Sequence, residues 1–80
     1  MTRHFLHLKD STDEVLDPDG VEMPAEAVLD AALKSARDCL AGDVKNGRID
    51  LHYRIEVVSE SGELVHTLPF SEAVEVIPPR

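Results

Sequence analysis

Acidic residues crowd the stretch DEVLDPDGVEMP, residues 13–24, which holds five carboxylates in twelve positions. The carboxylates of Asp17, Asp19 and Glu22 are the hard oxygen ligands that Ca²⁺ and Mg²⁺ prefer. If Gly20 takes the sixth position of a calcium loop, Val15 falls on the first position and supplies no ligand. Pro and Gly in the same stretch have strong turn chemistry. We therefore predict a turn leading into a helix, with no metal and no cofactor, and keep a divalent-cation site at Asp17, Asp19 and Glu22 as the alternative.

Four histidines raise the question of zinc. His4 and His7 are three residues apart, which places them on opposite faces of a strand. His7 and His66 could share a face across neighbouring strands, and His52 could approach from a strand entrance. No cysteine lies close to any of them in sequence. We predict partly exposed sheet histidines and no zinc site.

Nucleophiles have simpler explanations. Cys39 is the only cysteine, so no intramolecular disulfide can form, and its position in a helical pattern predicts a small buried apolar residue. Each serine fits a turn, a cap or a helix surface. No phosphate-binding glycine loop is present. We predict no catalytic residue and no enzymatic activity.

Charge and length narrow the class of protein. The 80 residues carry a formal net charge of −8, and the eight Lys and Arg residues are scattered. Nucleic acid and anionic membranes depend on clustered cations and are excluded as expected partners. Residues 1–80 form one expected domain. No apolar run is long enough for a membrane span or signal peptide, which predicts a soluble cytoplasmic protein.

Alternation and helical spacing predict the elements. Residues 3–9 read as a strand, and Val15-Leu16 as a short strand returning beside it. From Pro24, expected at the first helical position, apolar residues follow helical spacing to a stop at Asn46-Gly47, with Gly42 as a weak point. An Asp30–Lys34 ion pair is expected on the outer face. The apolar face comprises Ala25, Val28, Leu29, Ala32, Ala36, Cys39 and Leu40.

A hairpin follows, with arms at residues 53–59 and 64–70 and a turn at Ser61-Gly62. A two-residue turn would pair Ile55 with Leu68. A three-residue loop with Gly62 in a bulge would shift the register by one and place Val65 opposite Val57. Pro69 indicates an edge strand, since it cannot donate to a ladder.

The order of these elements predicts a two-layer α+β domain. A small antiparallel sheet (β-β-α-β-β) carries one long helix across one face, and the other face stays exposed unless something covers it. In the tail, residues 71–80, Ser71 could cap a helical turn, or residues 74–77 could form a last strand or await a partner. We expect a protein-interaction or regulatory module, possibly a homodimer, whose contacts involve Val58, Val65, Val74, Val76 and Ile77.

The whole pattern also resembles a family of short bacterial proteins known only as a domain of unknown function. The likeness rests on an aromatic first strand, the LDPDGVEMP turn, an Ala-rich helix and the closing IEVVSESGELVHTLPF. Matching positions are Asp17, Gly20, Glu22, Pro24, Gly62, Pro69 and Phe70, while Ser59 stands where the family often has Asp. The resemblance implies one compact domain in a bacterial cytoplasm. It implies no activity, cofactor or catalytic residue.

Overall fold

A computed structural model describes all 80 residues and contains five strands and two helices. The strands are β1 (Thr2–Lys9), β2 (Glu14–Val15), β3 (Val21–Met23), β4 (Arg54–Ser59) and β5 (Leu64–Pro69). A 3₁₀ turn (Ala25–Ala27) leads into the long helix α1 (Val28–Lys45), and α2 (Phe70–Ala73) is a single turn. The predicted α+β class, with a long helix on an antiparallel sheet, is confirmed.

The sheet has the order β2-β1-β4-β5, and β3 also pairs with β1. All pairings are antiparallel. The β2 strand lies opposite Leu8 and Lys9, whereas β3 lies opposite Thr2–His4, so the two form one interrupted edge beside β1. The sequence did not predict β3, because three residues between Gly20 and Pro24 are too few to show an alternation.

The long helix follows its apolar spacing. Its buried residues are Val28, Ala32, Ala36 and Leu40, one per turn, and the small alanines allow close packing on β4. The helix continues through Gly42 and ends at Asn46, before Gly47 with φ +85°.

Two expectations at the helix were wrong. Pro24 was expected at the first helical position, but it is the N-cap residue that precedes the 3₁₀ turn, and its backbone is extended. Lys34 pairs with Asp38, Nζ to Oδ2 at 3.2 Å, and not with Asp30.

The core lies between the sheet and α1. Val57 is fully buried and Phe70 is 1% exposed, and they are the largest fully buried side chains. The Phe70 ring packs against the Tyr53 ring at a centroid distance of 6.0 Å. The backbone N–H of Phe70 also donates to the Tyr53 carbonyl at 3.0 Å. Burying one such apolar side chain contributes about 1.5–3 kcal/mol, so the end of β5 is held firmly under the helix.

The β4–β5 hairpin combines both predicted registers. Ser59 and Glu63 close a three-residue loop in which Gly62 has φ +89°, and Val58 pairs with Leu64. Val65 is then an extra residue, because Val57 pairs with His66. This bulge restores the register of the two-residue turn, so that Ile55 pairs with Leu68.

The tail forms one helical turn and then has no regular secondary structure, so the predicted last strand is absent. Ser71 does not cap the turn, since Pro69 takes the N-cap position and no side-chain capping bond is made. Arg37 Nε donates to the Ala73 carbonyl at 2.8 Å and ties the turn to α1. Val74 packs against the core, whereas Val76 and Ile77 are 59% and 78% exposed.

Candidate functional site

The acidic turn is held by the carboxylate of Asp17. Its Oδ2 accepts the N–H of Leu6 at 3.2 Å, and its Oδ1 accepts the N–H groups of Asp19 (3.3 Å) and Gly20 (3.1 Å). Burial acts most strongly on this group and opposes ionisation, yet the three N–H donors together keep the pKa of Asp17 below its ordinary value. Asp17 therefore replaces strand backbone where the sheet edge is interrupted.

The other residues of the cation alternative have different neighbours. Glu22 lies opposite Arg3 in the sheet, Oε1 to Nη2 at 3.8 Å, and Asp19 receives the Arg3 guanidinium on its backbone carbonyl at 2.7 Å. No group of three or more His, Cys, Asp or Glu side chains is placed to hold a metal ion. The contacts around Asp17, Asp19 and Glu22 are those of a structural turn.

Gly20 completes this turn with φ +70°. A Cβ at this position would lie 2.9 Å from the His4 carbonyl oxygen and 3.0 Å from side-chain atoms of Arg3 and Phe5. Only glycine fits this close approach to β1.

The four histidines are dispersed. His4 is buried, 5% exposed, with Nδ1 3.0 Å from the Thr2 carbonyl, so the expectation of partial exposure was wrong for it. His7 stacks on Phe5 on the opposite face of β1. His66 lies opposite buried Val57, and its face is therefore not that of His7. His52 is exposed and bonds Asp50, with 3.0 Å between Nδ1 and Oδ1.

The sheet face away from α1 carries a line of ion pairs. Lys9 Nζ lies 3.1 Å from Glu56 Oε1 and 3.5 Å from Glu14 Oε2, and Arg54 Nε lies 2.7 Å from Glu56 Oε2. The hydrogen bond from Arg54, followed by that from Lys9, lowers the pKa of Glu56, and the hydrogen bond to Glu56 raises the pKa of Lys9. Charged side chains thus cover much of the face that the sequence left open.

The apolar part of that face is small. Phe5, Val58 and Leu64 lie side by side across β1, β4 and β5. Val58 is half-buried, and Val65, the bulge residue of the edge strand β5, is 46% exposed. Val58 and Val65 thus lie on the β4–β5 hairpin, and neither lines a hollow together with the predicted tail residues Val74, Val76 and Ile77.

An apolar hollow lies at the C-terminal end of α1, and we name it the C-terminal surface. It has a volume of about 310 Å³, and Glu75 is its only polar lining residue. The apolar lining residues are Leu40, Val44, Ile49, Val74, Val76 and Ile77. Three predicted interaction residues, Val74, Val76 and Ile77, are thus brought together with two exposed residues that the sequence analysis missed, Val44 and Ile49. Their spacing gave no signal, because they come from three separate segments.

A second hollow, the edge groove, runs between α1 and the interrupted edge of the sheet, with a volume of about 430 Å³. Its floor includes half-buried Leu6 and Leu8 of β1. Val15 and Leu16, 62% and 54% exposed, form the sheet side, and Cys39 lies on the helix side. Burial, followed by the charges of Asp43 and Asp38, raises the pKa of the Cys39 thiol. Cys39 is therefore half-buried among apolar residues, and its raised pKa opposes thiolate formation.

The two hollows differ in charge. Residues 15–18 form the sheet side of the edge groove, and the segment around them, residues 10–22, contains six acidic and no basic residues. In the C-terminal surface and next in sequence to its residues stand two bases, Lys45 and Arg48, and three acids, Asp43, Asp50 and Glu75, and Arg48 pairs with Asp50. Two copies of a chain with a net charge of −8 repel each other, and this repulsion is weakest at a surface where positive and negative charges nearly cancel.

Comparison with known proteins adds one relationship. Residues 3–71 match the family described as Domain of unknown function (DUF6894). Neither a curated protein nor a solved structure matches the chain. None of its helices is both long enough and apolar enough to cross a membrane.

Proposed function

The chain belongs to the DUF6894 family, and from this starting point we propose that it is a non-enzymatic interaction module that self-associates through the C-terminal surface. The observation that carries the proposal is the convergence of Val44, Ile49, Val76 and Ile77, all more than half exposed, on one hollow. Single exposed apolar residues are ordinary on a protein surface, whereas contiguous ones mark contact sites.

The occupant that fits this surface is a second copy of the chain. Lys45 makes no ion pair within the chain, and neither does Glu75. Across a twofold axis, these opposite charges could lie beside the apolar contact and add charge complementarity. Burial of Val76 and Ile77 would also supplement the small core of an 80-residue domain.

The non-enzymatic part of the proposal draws on the polar groups. The ring of His52 bonds only Asp50 and contacts no hydroxyl or thiol, so this pair lacks a nucleophile. Cys39 has a raised pKa, which opposes thiolate formation. A contribution of Val58 and Val65 stays a prediction, and the bulge at Val65 and Pro69 make the β5 edge a poor template for strand addition.

The test is the mass and melting temperature of the untagged chain across a range of protein concentration. Native mass spectrometry should give a dimer, and the melting temperature should rise with protein concentration. Val76→Asp should give a monomer with a concentration-independent melting temperature. Val21→Asp is the matched control, because Val21 is 54% exposed but lies outside the hollow. A wild-type chain that stays monomeric at every concentration overturns self-association.

A further inference from the structure

The edge groove is the second uncovered apolar surface of the chain. Leu6 and Leu8 lie along its floor, with Val15 and Leu16 on one side and Cys39 on the other. Its volume of about 430 Å³ falls in the range of small ligand pockets, and the groove is open to solvent. Val15 and Leu16 are 62% and 54% exposed, so much of their apolar surface is not covered by the chain itself.

The sign of the surrounding charge selects the occupant. Two carboxylates line the groove, Asp17 on the sheet side and Asp38 on the helix side, and no Lys or Arg lines it. Residues 10–22, the segment around Asp17, add five more acids, of which Glu14 and Glu22 pair with Lys9 and Arg3. The Asp38 carboxylate pairs with Lys34, Oδ2 to Nζ at 3.2 Å, which leaves the Asp17 side as the less neutralised side of the groove. An occupant with Lys or Arg beside its apolar residues would gain attraction along this rim, whereas an acidic one would be repelled.

We propose that the edge groove binds a short peptide segment of another protein, in which two or three aliphatic side chains are flanked by Lys or Arg. This inference rests on the proposed function of an interaction module and adds its partner class. A second copy of the chain is a poorer occupant, because it brings the same charge of −8 to an acidic rim. Binding would place the aliphatic side chains against Leu6 and Leu8 and the basic ones beside the acidic segment.

The first experiment is a selection of random twelve-residue peptides displayed on phage against the full chain. Enriched peptides are expected to combine aliphatic residues with Lys or Arg, and their affinity should fall as salt concentration rises. Because Cys39 is the only thiol and lies in the groove, each peptide should slow its reaction with a disulfide reagent. Absence of enrichment, acidic enriched peptides, or peptides that leave the Cys39 rate unchanged would overturn the proposal.

Two lysine variants separate groove binding from general attraction. Leu16→Lys and Val21→Lys add the same charge at residues of equal exposure, 54%, but only Leu16 lines the groove. We expect Leu16→Lys to weaken peptide binding at least about tenfold through contact loss and local repulsion, and Val21→Lys to change it less than about threefold. Equal weakening by both variants would show that bulk charge binds the peptide, which overturns the assignment to the groove.

The Val76→Asp variant distinguishes this inference from self-association. It is expected to bind the selected peptide with unchanged affinity, since Val76 does not line the edge groove. A monomeric wild-type chain that binds the peptide in the groove would leave this inference standing while self-association fails. A dimer that takes up no peptide would overturn this inference alone.

Discussion

The backbone N–H of Asp17 donates to Nδ1 of His7 at 3.0 Å, across the gap that separates β2 from β3. The bond requires a neutral His7 ring with its proton on Nε2. With the Asp17 carboxylate on the N–H of Leu6, it gives the sheet edge two side-chain contacts where ladder bonds are missing. The acidic turn is thus part of the sheet.

Asp17→Ala is expected to lower the free energy of unfolding by about 1–3 kcal/mol, because three backbone N–H donors lose their acceptor. Asp19→Ala is the matched control, since the Asp19 side chain makes no hydrogen bond or ion pair, and should change it by less than about 0.5 kcal/mol. Urea denaturation followed by circular dichroism measures both. Equal losses would mean that charge, and not hydrogen bonding, explains the effect.

Calcium or magnesium is expected to leave the melting temperature unchanged, because the oxygens of Asp17 already accept backbone N–H groups. The measurement is thermal unfolding in a titration of each cation, compared with a chelator. A melting temperature that rises with cation concentration, and no longer does so in Asp17→Asn with Asp19→Asn, would instead establish the cation site.

Acid is expected to destabilise the fold. The pKa values of Asp17 and Glu56 lie below their ordinary values of 3.8 and 4.5, so their contribution to stability is present above those values and is lost as pH falls through the lower folded-state pKa. Urea denaturation at pH 7, about 5 and about 3 should show most of the loss in the last interval. Glu56→Gln should lose less stability over that interval than the control Glu60→Gln, because exposed Glu60 makes no ion pair and lies outside both hollows. Identical pH profiles would contradict this assignment.

Gly20→Ala is expected to destabilise the fold more than Gly62→Ala. Both residues have positive φ, +70° and +89°, so both variants bear the left-handed penalty of about 1–2 kcal/mol. Only at Gly20 would the new Cβ meet a backbone oxygen, that of His4 at 2.9 Å, whereas Gly62 has open space. The difference between the two free energies of unfolding isolates the contact with β1. A smaller loss at Gly20 would argue against the close approach.

The sequence predicted the long elements and missed the short corrections between them. The helix and β4 have clear periods, so their positions followed from burial alone. The bulge at Val65 had no local signal, because it compensates for the length of the preceding loop, residues 60–62, and so restores the pairing of Ile55 with Leu68. Lys34 could reach either Asp30 or Asp38, and spacing by four residues cannot choose between them.

The candidate surfaces, too, were predicted only where the sequence carried a local signal. The tail residues Val76 and Ile77 were identified because they are apolar and had no predicted partner. The edge groove was not, because its sides come from β2 and α1 and its floor from β1. Such a surface exists only after the helix has crossed the sheet.

The pairing of β1 with β4 also governs when the chain can fold during its synthesis. The ribosome makes β1 before β4, and His4 of β1 pairs with Ser59 of β4. At about 5–20 residues per second, a ribosome needs roughly 3–11 s to go from His4 to Ser59. During this interval, the nascent β1 has an unpaired side that a chaperone could shield. The central strand pair of the sheet can therefore form only after β4 has been synthesised.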